Sequence, residues 1–106
     1  MSYDHVNYTD VEPLAPGMHF LREPLNCEEL GVTVIEADEG WQGKEHDHAD
    51  EGHEEVYLLL SGSATLTVEG ESTSLSSCDA VRVDPEDTRR LEFEADDSRM
   101  VVAGAP

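Results

Sequence analysis

The sequence predicts an all-β domain of short antiparallel strands, closed as a barrel or stacked as a sandwich. Three observations carry this. Runs of about four to eight residues are β-branched, aromatic or alternately apolar and polar. Gly, Pro and Asp punctuate them at short intervals. No segment sustains a helical period or repeats another, so neither a bundle nor a solenoid is indicated.

The elements follow in chain order. Met18–Leu21 is a short first strand, and Glu23–Leu30 reads as one helical turn. Gly31–Ala37 (Gly-Val-Thr-Val-Ile-Glu-Ala) is β-branched and strand-like. Asp38-Glu-Gly40 turns the chain, and Lys44–His48 is a short extended piece. Glu55–Leu60 is the strongest strand, ended by Ser61-Gly62. Ser63–Glu69 alternates cleanly, with Ala64, Leu66 and Val68 on one face, and Gly70-Glu71 marks a hairpin before Ser72–Leu75. Ala80–Val83, the turn Asp84-Pro-Glu-Asp87, Arg89–Phe93 and Arg99–Ala103 complete the set.

The 106 residues suit one domain, and their charge is extreme: 25 acids against 6 bases, a formal net of −19, with Lys44 the only lysine. Such a surface repels nucleic-acid phosphates and anionic membranes, so neither is expected as a partner. At molar salt the Debye length contracts to about 3 Å and screens the self-repulsion, so this acid-rich, lysine-poor composition reads as salt adaptation. The aliphatic runs at 32–35, 56–60 and 99–103 exclude a disordered acidic tail. No stretch approaches the ~20 apolar residues of a membrane helix. The N-terminus lacks the basic start and apolar core of a secretion signal, so a cytoplasmic location is expected. Cys27 and Cys78 lack Cys-x-x-Cys spacing and are expected as reduced thiols, Cys78 as a small buried residue.

The most informative stretch is Gly40–Gly62. His46 and His48, at i and i+2, share one face of an extended segment. His53 and the pair Glu54-Glu55 then open the apolar strand. Imidazole nitrogens beside a carboxylate suit a divalent transition metal: iron, manganese, zinc or nickel. His53 lies two before Glu55, so it either faces the same way or is a loop residue, whereas Glu54 points away. The bland alternative is a solvated acidic loop with incidental histidines. Tyr57 and Leu59 share the inward face of Glu55, and Arg89, Leu91 and Phe93 form another inward set. Arg89 has two readings, a bidentate clamp for a substrate carboxylate or phosphate, or an internal salt bridge to Glu55. Trp41 is placed at the pocket mouth. Val56, Leu58 and Leu60 face outward, where they could serve a subunit contact.

Gly40, His46-x-His48, Glu55 and Gly62 together resemble the first motif of the cupin superfamily. Cys78-Asp-Ala-Val-Arg-Val-Asp-Pro-Glu-Asp-Thr-Arg89 aligns with the second, so the similarity covers roughly residues 30–103. The resemblance implies a small single-domain cupin of the cupin 2 type. Its fold would be a double-stranded β-helix, a jelly-roll barrel of about eight to ten short antiparallel strands. Residues 1–29 would be an N-terminal arm with an edge strand, and 30–106 the barrel. It also implies a homodimer with a small-molecule pocket inside each barrel.

Two departures matter. Six residues, Ala49–Glu54, separate His48 from Glu55, more than the family uses, and the second-motif histidine falls on Arg89. The family's glycines fall on Cys78 and Glu86. A three-histidine, one-glutamate cage therefore cannot be assembled, leaving His46, His48 and Glu55, with His53 as a candidate fourth ligand. The implied function is a metal site acting on a small polar metabolite, an anionic one included, oriented by Arg89 and Tyr57. Oxygenase and isomerase chemistries both fit. The alternative is a non-catalytic binding or sensing cupin without a functional metal.

Overall fold

The structure is a computed structural model describing residues 2–106. Eight strands form: β1 (Met18–Phe20), β2 (Gly31–Ala37), β3 (Glu54–Ser61), β4 (Ser63–Val68), β5 (Glu71–Ser76), β6 (Ala80–Val83), β7 (Arg89–Phe93) and β8 (Ser98–Ala105). They make two antiparallel sheets, one ordered β1-β2-β8-β3-β6 and the other β5-β4-β7. The all-β jelly-roll expectation holds. The sheets face each other as a sandwich, and no ladder closes them into a continuous barrel among the described residues.

The chain crosses from one sheet to the other at Gly62, between β3 and β4. Gly62 has φ +92°, and a Cβ there would lie 2.1 Å from Ser98 Oγ, so only glycine fits. Alternation then sorts the side chains. Tyr57 and Leu59 of β3, Ala64 and Leu66 of β4, Leu91 and Phe93 of β7, and Met100 of β8 are buried between the sheets. Val56 and Leu60 remain exposed on the outer face. A two-residue turn at Glu69-Gly70, both at positive φ, joins β4 to β5, one residue earlier than the sequence suggested.

Three local expectations shift. Residues 21–27 fold into a tight turn, with Leu25 N–H donating to Leu21 O and Cys27 N–H to Arg22 O, but no helix propagates. Asn26, at φ +56°, ends it. A short 3-10 turn, Tyr8–Asp10, capped by Asn7, went unmarked in the sequence. Cys78, expected to be buried, is exposed at φ +78° in the β5–β6 turn. That left-handed backbone accounts for the glycine the cupin motif carries there.

Residues 40–48 run beside β7 as an irregular outer strand of the smaller sheet. Gly40 and Gly43 donate to Phe93 O and Leu91 O, and His46 and Arg89 exchange both backbone hydrogen bonds at 3.0 and 2.8 Å. This pairing carries the two histidines to the open end of the sandwich. The N-terminal segment is tied to the sandwich where Tyr8 Oη donates to Glu36 at 2.5 Å and Trp41 Nε1 to Pro16 O at 2.8 Å. Among the described residues, no helix is long and apolar enough to cross a membrane.

Candidate metal centre

Glu55 is the hub of the site. It opens β3 with its side chain inward, and its register partners are Gly104 on β8 and Val83 on β6. A Cβ at Gly104 would lie 2.9 Å from Glu55 Cγ, so the missing side chain on β8 is the space the carboxylate occupies. Glu55 Oε1 accepts from Tyr57 Oη at 3.0 Å and from Arg89 Nη1 at 3.0 Å. His48 Nε2 lies 3.2 Å from the same oxygen. Burial, and next the Glu55 carboxylate, push the Tyr57 phenol well above its ordinary value. Tyr57 therefore stays protonated and serves Glu55 as a donor.

Arg89 settles between its two sequence readings. It is 1% exposed, with Nη1 on Glu55, Nε donating to Asp87 O at 3.0 Å and Nη2 to Asp84 O at 2.5 Å. The Asp84–Asp87 turn thus clasps the guanidinium against Glu55. With every nitrogen engaged, Arg89 sits behind the carboxylate, and the internal salt bridge is the arrangement found. Its burial and these three acceptors turn the guanidinium toward the protein rather than toward either cavity.

The structure brings His46, His48 and Glu55 together: one ligand atom from each lies within 4.8 Å of the others. The His46 and His48 rings meet edge to face at 4.9 Å. His46, itself exposed, directs Nδ1 to Lys44 O at 2.8 Å, which fixes the tautomer that leaves Nε2 with a free lone pair. His48 Nδ1 is buried and has no hydrogen-bond partner, with Glu51 Oε1 at 3.5 Å. A small approach by Glu51 would complete the carboxylate–histidine pairing typical of metal-bound imidazoles. These donors fit a divalent transition metal. Atoms bound at about 2.0–2.2 Å to one ion in tetrahedral geometry stand roughly 3.5 Å apart, so the trio would close in by about 1 Å on taking up an ion. His53 lies outside the trio, stacked on His48 at 6.1 Å between ring centroids.

The trio stands between two cavities. One, of about 290 Å³, has an apolar floor including Met18, Phe20, Ile35, Trp41 and Leu91, with Lys44 and His46 at its lip. Trp41 packs on Phe93 at 5.1 Å and lines this cavity. The other, of about 250 Å³, shares Glu55 and His48 with the first and is bounded also by Arg22, Gly31, His53 and Gly104. Sequence reasoning missed Gly104, Lys44, Glu51 and Arg22. For Lys44 the signal was its being the only lysine; for Gly104 it was a glycine inside a strand, which marks a close approach.

No protein-family model matches this chain, and no curated protein matches it. Solved structures do. A cupin protein from Bacteroides fragilis superposes with TM-score 0.83 at 20% identity, covering 99% of this chain and 85% of that one. KdgF from Halomonas sp. gives 0.80 at 20% identity, with 100% and 94% covered. A cupin-superfamily sugar phosphate isomerase from Silicibacter pomeroyi gives 0.76 at 13% identity, with 96% and 75% covered. At these identities the likeness establishes architecture: the chain has the cupin fold.

Proposed function

We propose that this chain is a salt-adapted, metal-dependent cupin of the cupin 2 type that acts on a small polar metabolite. The observation that carries this reading is the convergence of His46, His48 and Glu55 within 4.8 Å, beside a cavity of about 290 Å³. A bound divalent ion supplies Lewis acidity toward a substrate oxygen, or activates water or dioxygen. The chain's own residues do the rest. Tyr57 and Arg89 hold Glu55 in place, Lys44 O fixes the His46 tautomer, and the apolar floor keeps bulk water from the substrate body. That one structural neighbour is described as a sugar phosphate isomerase supports an enzymatic, isomerase-type role.

A second reading is a non-catalytic binding or sensing cupin. The observation favouring it is Arg89, which stands where the family places a fourth ligand and already compensates Glu55. Metal content decides between the two. Protein purified at high salt without chelator should carry transition metal near one equivalent per chain. His46→Ala combined with His48→Ala should remove it while the β-sheet circular dichroism persists. Wild-type protein that takes up none of iron, manganese, zinc or nickel after reloading defeats the first reading.

The proposed assembly is a homodimer through the outer face of the larger sheet. Register aligns Val101, Leu58 and Ala80 in one row, and Val32, Ala103 and Val56 in the next. Arg82 and Arg99 rim this face and pair with Glu54, Asp84 and Glu36. With two arginines against three carboxylates, it is a region of this −19 chain where a second copy meets little net charge.

A further inference from the structure

The register at the open end of the larger sheet leaves a bare trough. Gly31 on β2 faces Gly104 on β8, and Gly104 faces Glu55 on β3. Two adjacent strands thus carry no side chain at this level. The space is roofed from both ends. A Cβ at Gly31 would lie 2.6 Å from Arg22 Nη2, and one at Gly104 would lie 2.9 Å from Glu55 Cγ. Arg22 therefore lies over one glycine and Glu55 over the next, one strand apart, a spacing of about 4.8 Å. Together with His48 and His53 they bound the cavity of about 250 Å³.

Of the 6 bases, Arg82, Arg89 and Arg99 are paired with carboxylates, whereas Arg22, Lys44 and Arg90 are not, and of these three Arg22 lines this cavity. Arg22 has no carboxylate within 4.0 Å among the described residues; it makes only long contacts, Nε to Leu30 O and Nη2 to Glu29 O, both 3.4 Å. With 25 acids available, a half-buried guanidinium that lines a cavity and is left without a counter-charge is able to take an anion there. The carboxylate facing it across the trough, Glu55, is already compensated by Arg89. Glu51, the other acid on this cavity, is exposed and lies beside His48.

We infer that Arg22, held over Gly31 on the wall of the 250 Å³ cavity, forms a subsite there for the carboxylate of a small oxygen-bearing organic acid, whose remaining oxygen reaches the His46, His48 and Glu55 group. The inference rests on the metal reading for that second contact only. Arg22, and not Arg89, is then the anion-recognising residue.

The test uses zinc-loaded and zinc-free protein at fixed ionic strength, titrated with glycolate and L-lactate and followed by backbone amide shifts. Glycolamide and inorganic phosphate serve as comparison ligands. Arg22→Gln should weaken glycolate binding about tenfold or more in the zinc-loaded form, the loss of one charge-assisted contact. It should weaken it in the zinc-free form too. Gly31→Ala, whose Cβ displaces the guanidinium, should act in the same direction and serves if Arg22→Gln fails to fold. Arg90→Ala, an exposed arginine outside the trough, should change nothing. Glycolate binding unchanged by Arg22→Gln and Gly31→Ala, or glycolamide binding as tightly as glycolate, overturns the subsite. Phosphate binding tighter than either acid overturns the carboxylate assignment. Zinc affinity is measured separately by chelator competition. A chain that takes up none of zinc, iron, manganese or nickel yet loses glycolate on Arg22→Gln refutes the metal reading and keeps the subsite.

Discussion

Arg89→Met isolates the interaction on which the site is built. The methionine roughly keeps the volume but removes the charge, leaving Glu55 facing a dry interior from a side chain 16% exposed, beside a guanidinium position that is 0% exposed. Removing one partner of a buried ion pair costs about 3–5 kcal/mol, because the remaining charge loses its compensation. Glu55 keeps the Tyr57 hydroxyl and some contact with solvent, which places the expectation at the lower end, about 3 kcal/mol. Domains of this size hold only about 5–15 kcal/mol in total. With urea slopes of about 1–3 kcal/mol/M, the midpoint should fall by roughly 1–3 M. The assay is urea unfolding at constant high KCl for wild type, Arg89→Met, Glu55→Gln and the double variant. Most of the loss should disappear in the Glu55→Gln background, giving a coupling of about 2 kcal/mol or more. Zinc at about 100 times its dissociation constant stabilises any folded form that binds it by about 2.7 kcal/mol. Arg89→Met should reach that gain at lower zinc, since the ion then no longer competes with a guanidinium for Glu55. An Arg89→Met midpoint within about 0.3 M of wild type, or an equal cost with glutamine at 55, refutes the reasoning.

Gly104→Ala should lose about 1–3 kcal/mol of stability through overpacking and about ten-fold or more in zinc affinity, because its Cβ evicts Glu55 from its seat. Unfolding midpoints and chelator competition measure the two effects, and unchanged zinc affinity would show that Glu55 is not held by this space. Leu60→Asp, at a site 44% exposed on the outer face, should shift sedimentation from dimer to monomer without altering zinc uptake. A wild-type protein that already sediments as a monomer removes the dimer proposal. Thermal midpoints should rise steadily from low to molar KCl, and a flat profile would contradict salt adaptation.

How far the sequence disclosed this molecule depended on the range of each cue. Alternation is local, so the inward faces of β3, β4 and β7 were readable: Tyr57 and Leu59, Ala64 and Leu66, Leu91 and Phe93 are all buried as their spacing requires. The His46–Glu55 grouping was readable as a pattern, although the acidic insert of Ala49–Glu54 concealed whether His53 would join it. The insert closes on itself, with Gly52 N–H bonding His48 O, and its length leaves His53 stacked beside the trio. Which of two roles Arg89 plays was not readable at all. That depends on the carbonyls of Asp84 and Asp87 converging with Glu55, a tertiary fact with no periodic signature.

Glycines carried the least sequence information and the most consequence. Gly31 and Gly104 lie far apart in the chain, and neither stands at a turn, so each alone reads as a weak point in a strand. Their meaning comes from register: facing each other, they open the floor on which Arg22 and Glu55 rest. The same register explains why this chain can carry an arginine at position 89 and still keep an anion site. The guanidinium of Arg89 is consumed in holding Glu55, and the role its charge suggested passes to Arg22, across a gap that only two missing side chains could create.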